Sequence, residues 1–157
     1  AARQYNLIPP SVEQPQYSMF HRERVETEIA PLAKELGLGL TTFSPLYFGI
    51  LTGKYNDGVP DGSRAAMDSM AWVQNYLTPE RLDIVQDLAL IADELGISQA
   101  QLALAWLLRR KEVSSVITGA TKMSQLKDNL GAADAIALLT DDVLDEIEAV
   151  ISHEPEE

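Results

Sequence analysis

Thr41-Thr42-Phe43-Ser44-Pro45-Leu46-Tyr47-Phe48-Gly49-Ile50-Leu51-Thr52-Gly53-Lys54-Tyr55 decides how the rest of the chain is read. A β-prone run from Leu40 to Phe43 stops at Ser-Pro, because proline gives no ladder hydrogen bond and holds the residue before it extended. Two glycines, a lysine and a tyrosine follow, and the next good helix start is Thr78. A connection of roughly thirty residues without regular structure is uncommon in a compact domain and is usually functional. An aromatic at a strand end, followed by free backbone N–H groups, flexible glycines and a cation, is suited to hold a ring and a phosphate. The plain alternative is a surface loop over a buried Phe and Leu.

Working outward, Leu38 to Phe43 reads as a strand, and Val25, Ile29, Leu32, Ala33 and Leu36 before it lie at helical spacing with Gly37 as the stop. Pro31 inside that pattern either kinks the helix or starts it afresh. Further upstream, Ser11 to Gln14 reads as a short strand, buried if its sheet is parallel, after the confining pair Pro9-Pro10. One crossover helix fits between the two strands, which makes them parallel neighbours. Ala1 to Leu7 reads as the last turn of a helix with Asn6 as a left-handed C-terminal cap. With no initiator Met, the expectation is a piece of something longer.

Downstream, Thr78-Pro79-Glu80 opens a helix with Leu88, Ile91, Ala92 and Leu95 on its apolar stripe. Ser98 and Gln101 make a capping box for the very apolar helix Ala100 to Arg110. A third strand, Val113 to Thr118, runs into Gly119-Ala120-Thr121-Lys122 and a helix to Ala133 with Leu126 and Leu130 facing inward. A last helix starts at Thr140, followed by the acidic tail His153 to Glu157. The turn at Gly119 to Lys122 repeats the logic of the second strand end, because a helix N-terminus attracts an anion. Gln125, Asp128 and Asn129 lie one and two turns on; the plain alternative is a solvated strand–helix turn. If the strands are parallel neighbours, Gln14, Phe43-Ser44 and Gly119-Thr121 share one rim, and together they suit an extended dinucleotide.

Composition bounds the function. The chain has 157 residues, 46% hydrophobic and 23% charged, enough for one domain with a core. A net charge of −12 argues against nucleic acid or an anionic membrane as partner. The absence of cysteine removes disulfides, a thiol nucleophile and thiolate metal sites, and His21 and His153 lie too far apart in sequence to suggest a metal pair. No run approaches a membrane span and no signal peptide is visible, so the reading is a cytoplasmic protein without membrane insertion.

Ile8-Pro9-Pro10-x-x-Glu13-Gln14-x-x-Tyr17-x-Met19-Phe20, Phe43-Ser44-Pro45-Leu46 with Gly53-Lys54-Tyr55, Ser63-Arg64, and Gln125-x-x-Asp128-Asn129-Leu130-Gly131-Ala132 together resemble the aldo-keto reductase family, most closely its potassium-channel β-subunit branch. The resemblance runs almost end to end. It implies an α/β fold: the C-terminal portion of a (β/α)8 TIM-type barrel, about three parallel strands with crossover helices plus a C-terminal helix. Residues 1–157 would then form one partial barrel segment lacking the N-terminal strand–helix units. It also implies NADPH as cofactor and aldehydes or ketones as substrates.

The roles it implies follow the motifs. Gln14 would bond the nicotinamide carboxamide and Phe43 would stack on the ring, although that branch usually has Trp there. Ser44, Pro45, Leu46 and Phe48 would line the pyrophosphate, and Lys54 and Arg64 would close over the phosphates. Gly119, Thr121, Gln125, Asp128 and Asn129 would hold the adenosine end, with Asp128 standing where Glu is common. Lys122, by its charge at a helix N-terminus, favours NADP over NAD. The family's proton donor is a Tyr supported by Lys, Asp and His; Tyr5, Tyr17, Tyr47, Tyr55 and Tyr76 do not match its motif, and His21 matches no catalytic position. No catalytic residue and no metal site is therefore expected in this chain. The alternatives are a non-catalytic NADP-binding regulatory or partner-binding module, like the channel subunits, or an inactive truncated remnant. Open strand edges imply self-association or pairing with a missing half, and a carbonyl substrate only in a complete barrel.

Overall fold

The computed structural model describes residues 1–152; His153 and the acidic tail lie outside the described residues. Three strands, β1 (Val12–Glu13), β2 (Gly39–Thr42) and β3 (Val113–Val116), form one sheet in the order β1-β2-β3. Both pairings are parallel, with Val12 beside Gly39 and Thr42 beside Val116. This is the expected class, α/β with crossover helices between parallel strands. The strands are shorter than the sequence reading at their ends. The expectation of a buried first strand also fails, because both residues of β1 are exposed and β1 lies at the sheet edge.

The helices mostly start where their caps predict. Helix α1 (Ala2–Tyr5) ends on Asn6 at φ 55°, the expected left-handed cap. The helix before β2 resolves the Pro31 alternatives. Residues Val25–Ile29 form a wide π turn that leads into α2 (Ala30–Leu36), with Pro31 in its first turn. Proline lacks the N–H that a regular turn needs and its ring crowds the carbonyl four residues back, and a π turn relieves both. Thr78 caps α3 (Pro79–Glu94), and Ser98 with Gln101 forms a complete capping box on α4 (Gln99–Leu108). Helix α4 is buried almost throughout, as its composition requires, and Trp106 packs at 5.5 Å on Tyr17. Thr140 caps α6 (Asp141–Ile151).

Two expectations are corrected. The connection from Phe43 to Leu77 is not irregular: Tyr47–Thr52, Arg64–Ala66 and Asp68–Tyr76 are 3-10 segments. Tyr47, Ile50, Leu51, Tyr55, Ala65 and Val73 from this stretch belong to the hydrophobic core. Helix α5 (Met123–Ala135) turns its leucines outward: Leu126 is 41% and Leu130 68% exposed, while Ala132 and Ala135 are buried. The reason is close approach. A Cβ on Gly131 would overlap the Gln101 amide of α4, and that amide donates to the Asp128 carbonyl at 3.0 Å. Small residues let the two helices meet, and the larger side chains are left outside.

Candidate functional site

The carboxyl ends of the three strands lie side by side. The Ile117 N–H donates to the Thr42 carbonyl at 2.8 Å, continuing the β2–β3 ladder to the rim. On the other side, Pro15 ends β1 because it has no N–H to give and restricts Gln14 to extended geometry. Pairing nevertheless continues past it: Phe43 N–H donates to the Pro15 carbonyl at 3.0 Å and Tyr17 N–H to the Phe43 carbonyl at 3.2 Å. These bonds pair Gln16 with Phe43 and bring Gln14, just upstream, to the same rim.

Gln14 and Phe43 line one pocket of about 220 Å³, together with Pro15, His21, Arg24 and Ile29. Phe43 is 39% exposed, so part of its ring is free to stack. Drug-sized ligands occupy about 300–1,000 Å³. The pocket therefore suits a single ring, and the rest of a dinucleotide would lie across the adjoining surface. His21 and Arg24 were not marked by their sequence context. They reach the pocket because a tight turn, with Ser18 and His21 exchanging backbone bonds at 3.2 Å, returns the chain to the rim. Only the pairing of that turn could have signalled them.

After Phe43 the backbone is unusual. Ser44, Tyr47 and Phe48 have φ of 54°, 44° and 59°, a left-handed region that costs L-residues of this size roughly 1–3 kcal/mol each. The N–H groups of Tyr47 and Gly49 are used inside the turn, on Ser44 and Leu46 carbonyls at 3.0 and 2.8 Å. The run of free donors expected from sequence is thus shorter. Packing holds the strain in place. Phe48 meets Trp72 edge-on at 4.9 Å, Tyr47 meets Phe20 and Tyr76 at 5.5 and 5.6 Å, and the Arg81 guanidinium lies 5.4 Å from the Tyr47 ring. Pro45 is buried under this turn, and Ser44 and Leu46 are partly buried. The sequence carried one signal for this platform: six of its ten aromatic residues (Trp 2, Tyr 5, Phe 3) fall between 43 and 76.

Lys54 and Arg64 are exposed. The Lys54 ammonium sits 4.9 Å from the Tyr55 ring, and a Cβ on Gly49 would come within 2.6 Å of it, so the cation overhangs the left-handed turn. At the far strand end Gly119 and Thr121 are exposed. Gln125 is occupied locally: its Oε1 accepts from the Thr121 and Lys122 N–H groups at 2.9 and 3.1 Å. An anion at that helix end would have to displace it. Asp128 accepts from the Ser98 hydroxyl at 2.9 Å and so ties α5 to the cap of α4; Asn129 beside it is half-buried.

Behind the pocket lies a charged junction. The Tyr17 hydroxyl donates to Glu26 at 2.8 Å, Arg110 lies 3.5 Å from the same carboxylate, and Arg22 bridges Glu26 at 3.2 Å to Glu148 of α6 at 2.5 and 2.7 Å. Burial, reinforced by Glu26, pushes the Tyr17 phenol well above its ordinary range. Burial pulls the Arg22 guanidinium down, but Glu148 and Glu26 more than offset it and the net shift is upward. The hydrogen bonds from Arg22 hold Glu148 below the usual carboxylate range. Tyr17, Tyr47 and Tyr55 are all buried. Among the described residues no cluster of His, Cys, Asp and Glu could hold a metal ion, and no single helix is long and apolar enough to cross a membrane.

Comparison with known proteins agrees with the α/β fold. A protein named "Probable voltage-gated potassium channel subunit beta" from Arabidopsis thaliana is 52% identical over 157 residues, covering 99% of this chain and 48% of that protein. One of the same name from Oryza sativa subsp. japonica is 49% identical over 156 residues, covering 98% and 48%. The chain thus spans about half the length of the curated relatives it matches. The Aldo/keto reductase family model matches residues 1–152, the whole of the parallel strand–helix frame just described, and the chain belongs to the aldo/keto reductase family.

Proposed function

We propose that this chain carries the nicotinamide-dinucleotide cradle of an NADP-dependent carbonyl reductase. The observation that carries the reading is the shared pocket of Gln14 and Phe43 at the ends of adjacent parallel strands. Gln14 offers an amide to a ring carboxamide, and Phe43 offers a face. The left-handed turn from Ser44 to Phe48 brings backbone close to a pyrophosphate, with Pro45 and Leu46 fixing its floor. Lys54 and Arg64 supply two exposed cations on a chain of net charge −12, so an anionic ligand has local donors where the overall field is unfavourable. Gly119, Thr121, Gln125, Asp128 and Asn129 form the adenosine end, and Lys122 favours a 2′-phosphate.

When bound, the cofactor supplies a hydride to a carbonyl carbon. The residues here bind and orient it. General acid catalysis needs a positioned donor, which this reading assigns to a complete barrel, together with the carbonyl substrate. The sheet's outer strands and exposed residues such as Val12 and Ile117 suit pairing with further strands, from the rest of a barrel or from a second copy, in the cytoplasm. A second reading is favoured by the name both relatives carry: a cofactor-binding subunit that acts by partner association rather than turnover.

Titration of NADPH into the purified chain, followed by nicotinamide fluorescence, tests the proposal. Saturable binding that Lys54→Ala with Arg64→Ala weakens is the expected result. A folded, monodisperse chain that does not bind overturns it. Carbonyl-dependent NADPH oxidation on supplying the complementary half of the barrel separates the reductase reading from the partner-binding one.

A further inference from the structure

The two candidate phosphate-binding cations sit one residue ahead of two residues that bond to each other. The Ala65 N–H donates to the Tyr55 hydroxyl at 3.3 Å, and both residues are buried, at 0% and 1% exposure. Lys54 precedes Tyr55 and Arg64 precedes Ala65. Tyr55 also touches its own neighbour, since the Lys54 ammonium stands over its ring at 4.9 Å. The second polar group of Ala65 is held as well: Gln74 Nε2 donates to its carbonyl at 2.8 Å. The segment carrying Arg64 is therefore fixed through both backbone polar groups of Ala65, while the Arg64 side chain is exposed. The Tyr55 hydroxyl thus joins the glycine-rich turn at 53 to the segment at 63–66 by a side-chain bond.

We propose that Tyr55 is a positioning residue that yokes Lys54 and Arg64, so that the two cations act on an anionic ligand as one preset pair. The proposal rests on the cofactor reading above. Two long cations at the ends of loops would each lose rotamer and loop freedom on binding. With Tyr55 linking their backbones, most of that ordering is already present in the free chain. The ring anchors one cation from below, and the hydroxyl fixes the backbone beside the other.

Tyr55→Phe tests this with little risk to the fold, because the ring and its packing remain. Trypsin cuts after Lys54 and Arg64, which reads the yoke without any ligand. Native-state cleavage at both positions is expected to quicken by about threefold to tenfold, the worth of one hydrogen bond, while cleavage after Arg24 keeps its rate. Unchanged rates at both positions overturn the proposal. NADPH titration then reads the coupling. In the unaltered chain the losses from Lys54→Ala and Arg64→Ala are expected to combine non-additively, and in the Tyr55→Phe background to become additive. A purely structural role for the ring would leave the coupling intact, since Phe keeps the ring; that result overturns the proposal. If the unaltered chain does not bind NADPH, the cofactor reading fails, and the proteolysis rates alone decide whether the yoke exists.

Discussion

The two ends of the candidate cradle are built in opposite ways. From Phe43 to Tyr55 the chain is packed: Tyr47, Ile50, Leu51 and Tyr55 are core residues, and three non-glycine residues are held left-handed. From Ile117 to Asn129 most residues are exposed; Gln125 bonds the N-terminus of its own helix and Asp128 the cap of α4. Backbone strain persists only where surrounding contacts over-determine it. The aromatic platform of Phe20, Phe48, Trp72 and Tyr76 provides those contacts at the first end. The second end has no comparable burial, and there the Gln125 side chain satisfies two backbone N–H groups that would otherwise face solvent. One end is held by packing, and the other mainly by polar side-chain bonds.

The sharpest way to break this contrast is to compare Tyr47→Ala with Leu130→Ala. Tyr47 is buried among aromatics, and its truncation should cost about 3–5 kcal/mol in denaturant unfolding. Leu130 is exposed, and its truncation should stay within about 0.5 kcal/mol. Comparable losses at the two sites would mean the ends are equally packed. A smaller effect is expected at Gly49, whose φ is 93° and whose Cβ would meet Lys54. Gly49→Ala should cost roughly 1–3 kcal/mol of stability and weaken NADPH binding as the lysine shifts; equal affinity would show that Lys54 need not overhang the turn. Gln125→Ala sharpens the other end. It should cost about 1 kcal/mol, as lost caps do, and reduce NADPH affinity less than Lys54→Ala does, because the freed N–H groups become available to an anion.

The smallest effect concerns pH. Glu148 is depressed by Arg22 in the folded chain, so the stability it contributes is present above the ordinary glutamate range of about 4.3 and is lost as pH falls through its lower folded value. Glu148 is half-exposed, and the loss should be modest. Protection factors of the α6 amides, corrected for the intrinsic exchange rate at each pH, should fall below about pH 4, and Glu148→Gln should remove the dependence. At the alkaline extreme, Tyr17 works the other way. The folded chain holds its proton more tightly, so stability is level below about pH 10 and falls as pH rises beyond it.

Local chemistry was legible wherever it acts within one turn of the chain. Thr78, Ser98 and Thr140 cap the helices they were expected to cap, Asn6 takes its left-handed cap, and Ser44-Pro45 lies just past the end of β2. The shared rim of Gln14 and Phe43 was legible one step further out, since parallel strands put their carboxyl ends together. His21 and Arg24 were not, because a turn return rather than a motif brings them to the pocket. The inward face of α5 was misread for a related reason: periodicity ranks Leu126 and Leu130 above alanine, but helix–helix distance favours the small face with Gly131, Ala132 and Ala135.

The sequence by itself determined the order of elements, the parallel sense of the strands, the caps, and the residue types gathered at one rim. These depend on propensities and connections that each segment carries alone. Only the tertiary structure decided that the stretch from Phe43 to Tyr76 sends Tyr47, Ile50, Leu51, Tyr55, Ala65 and Val73 into the core, that Ser44, Tyr47 and Phe48 adopt left-handed geometry, and that Gln125 and Asp128 are already engaged. Those outcomes depend on which surfaces are buried against which. Burial of aromatic area outweighs a few kilocalories of backbone strain, a balance that no local pattern in the sequence contains.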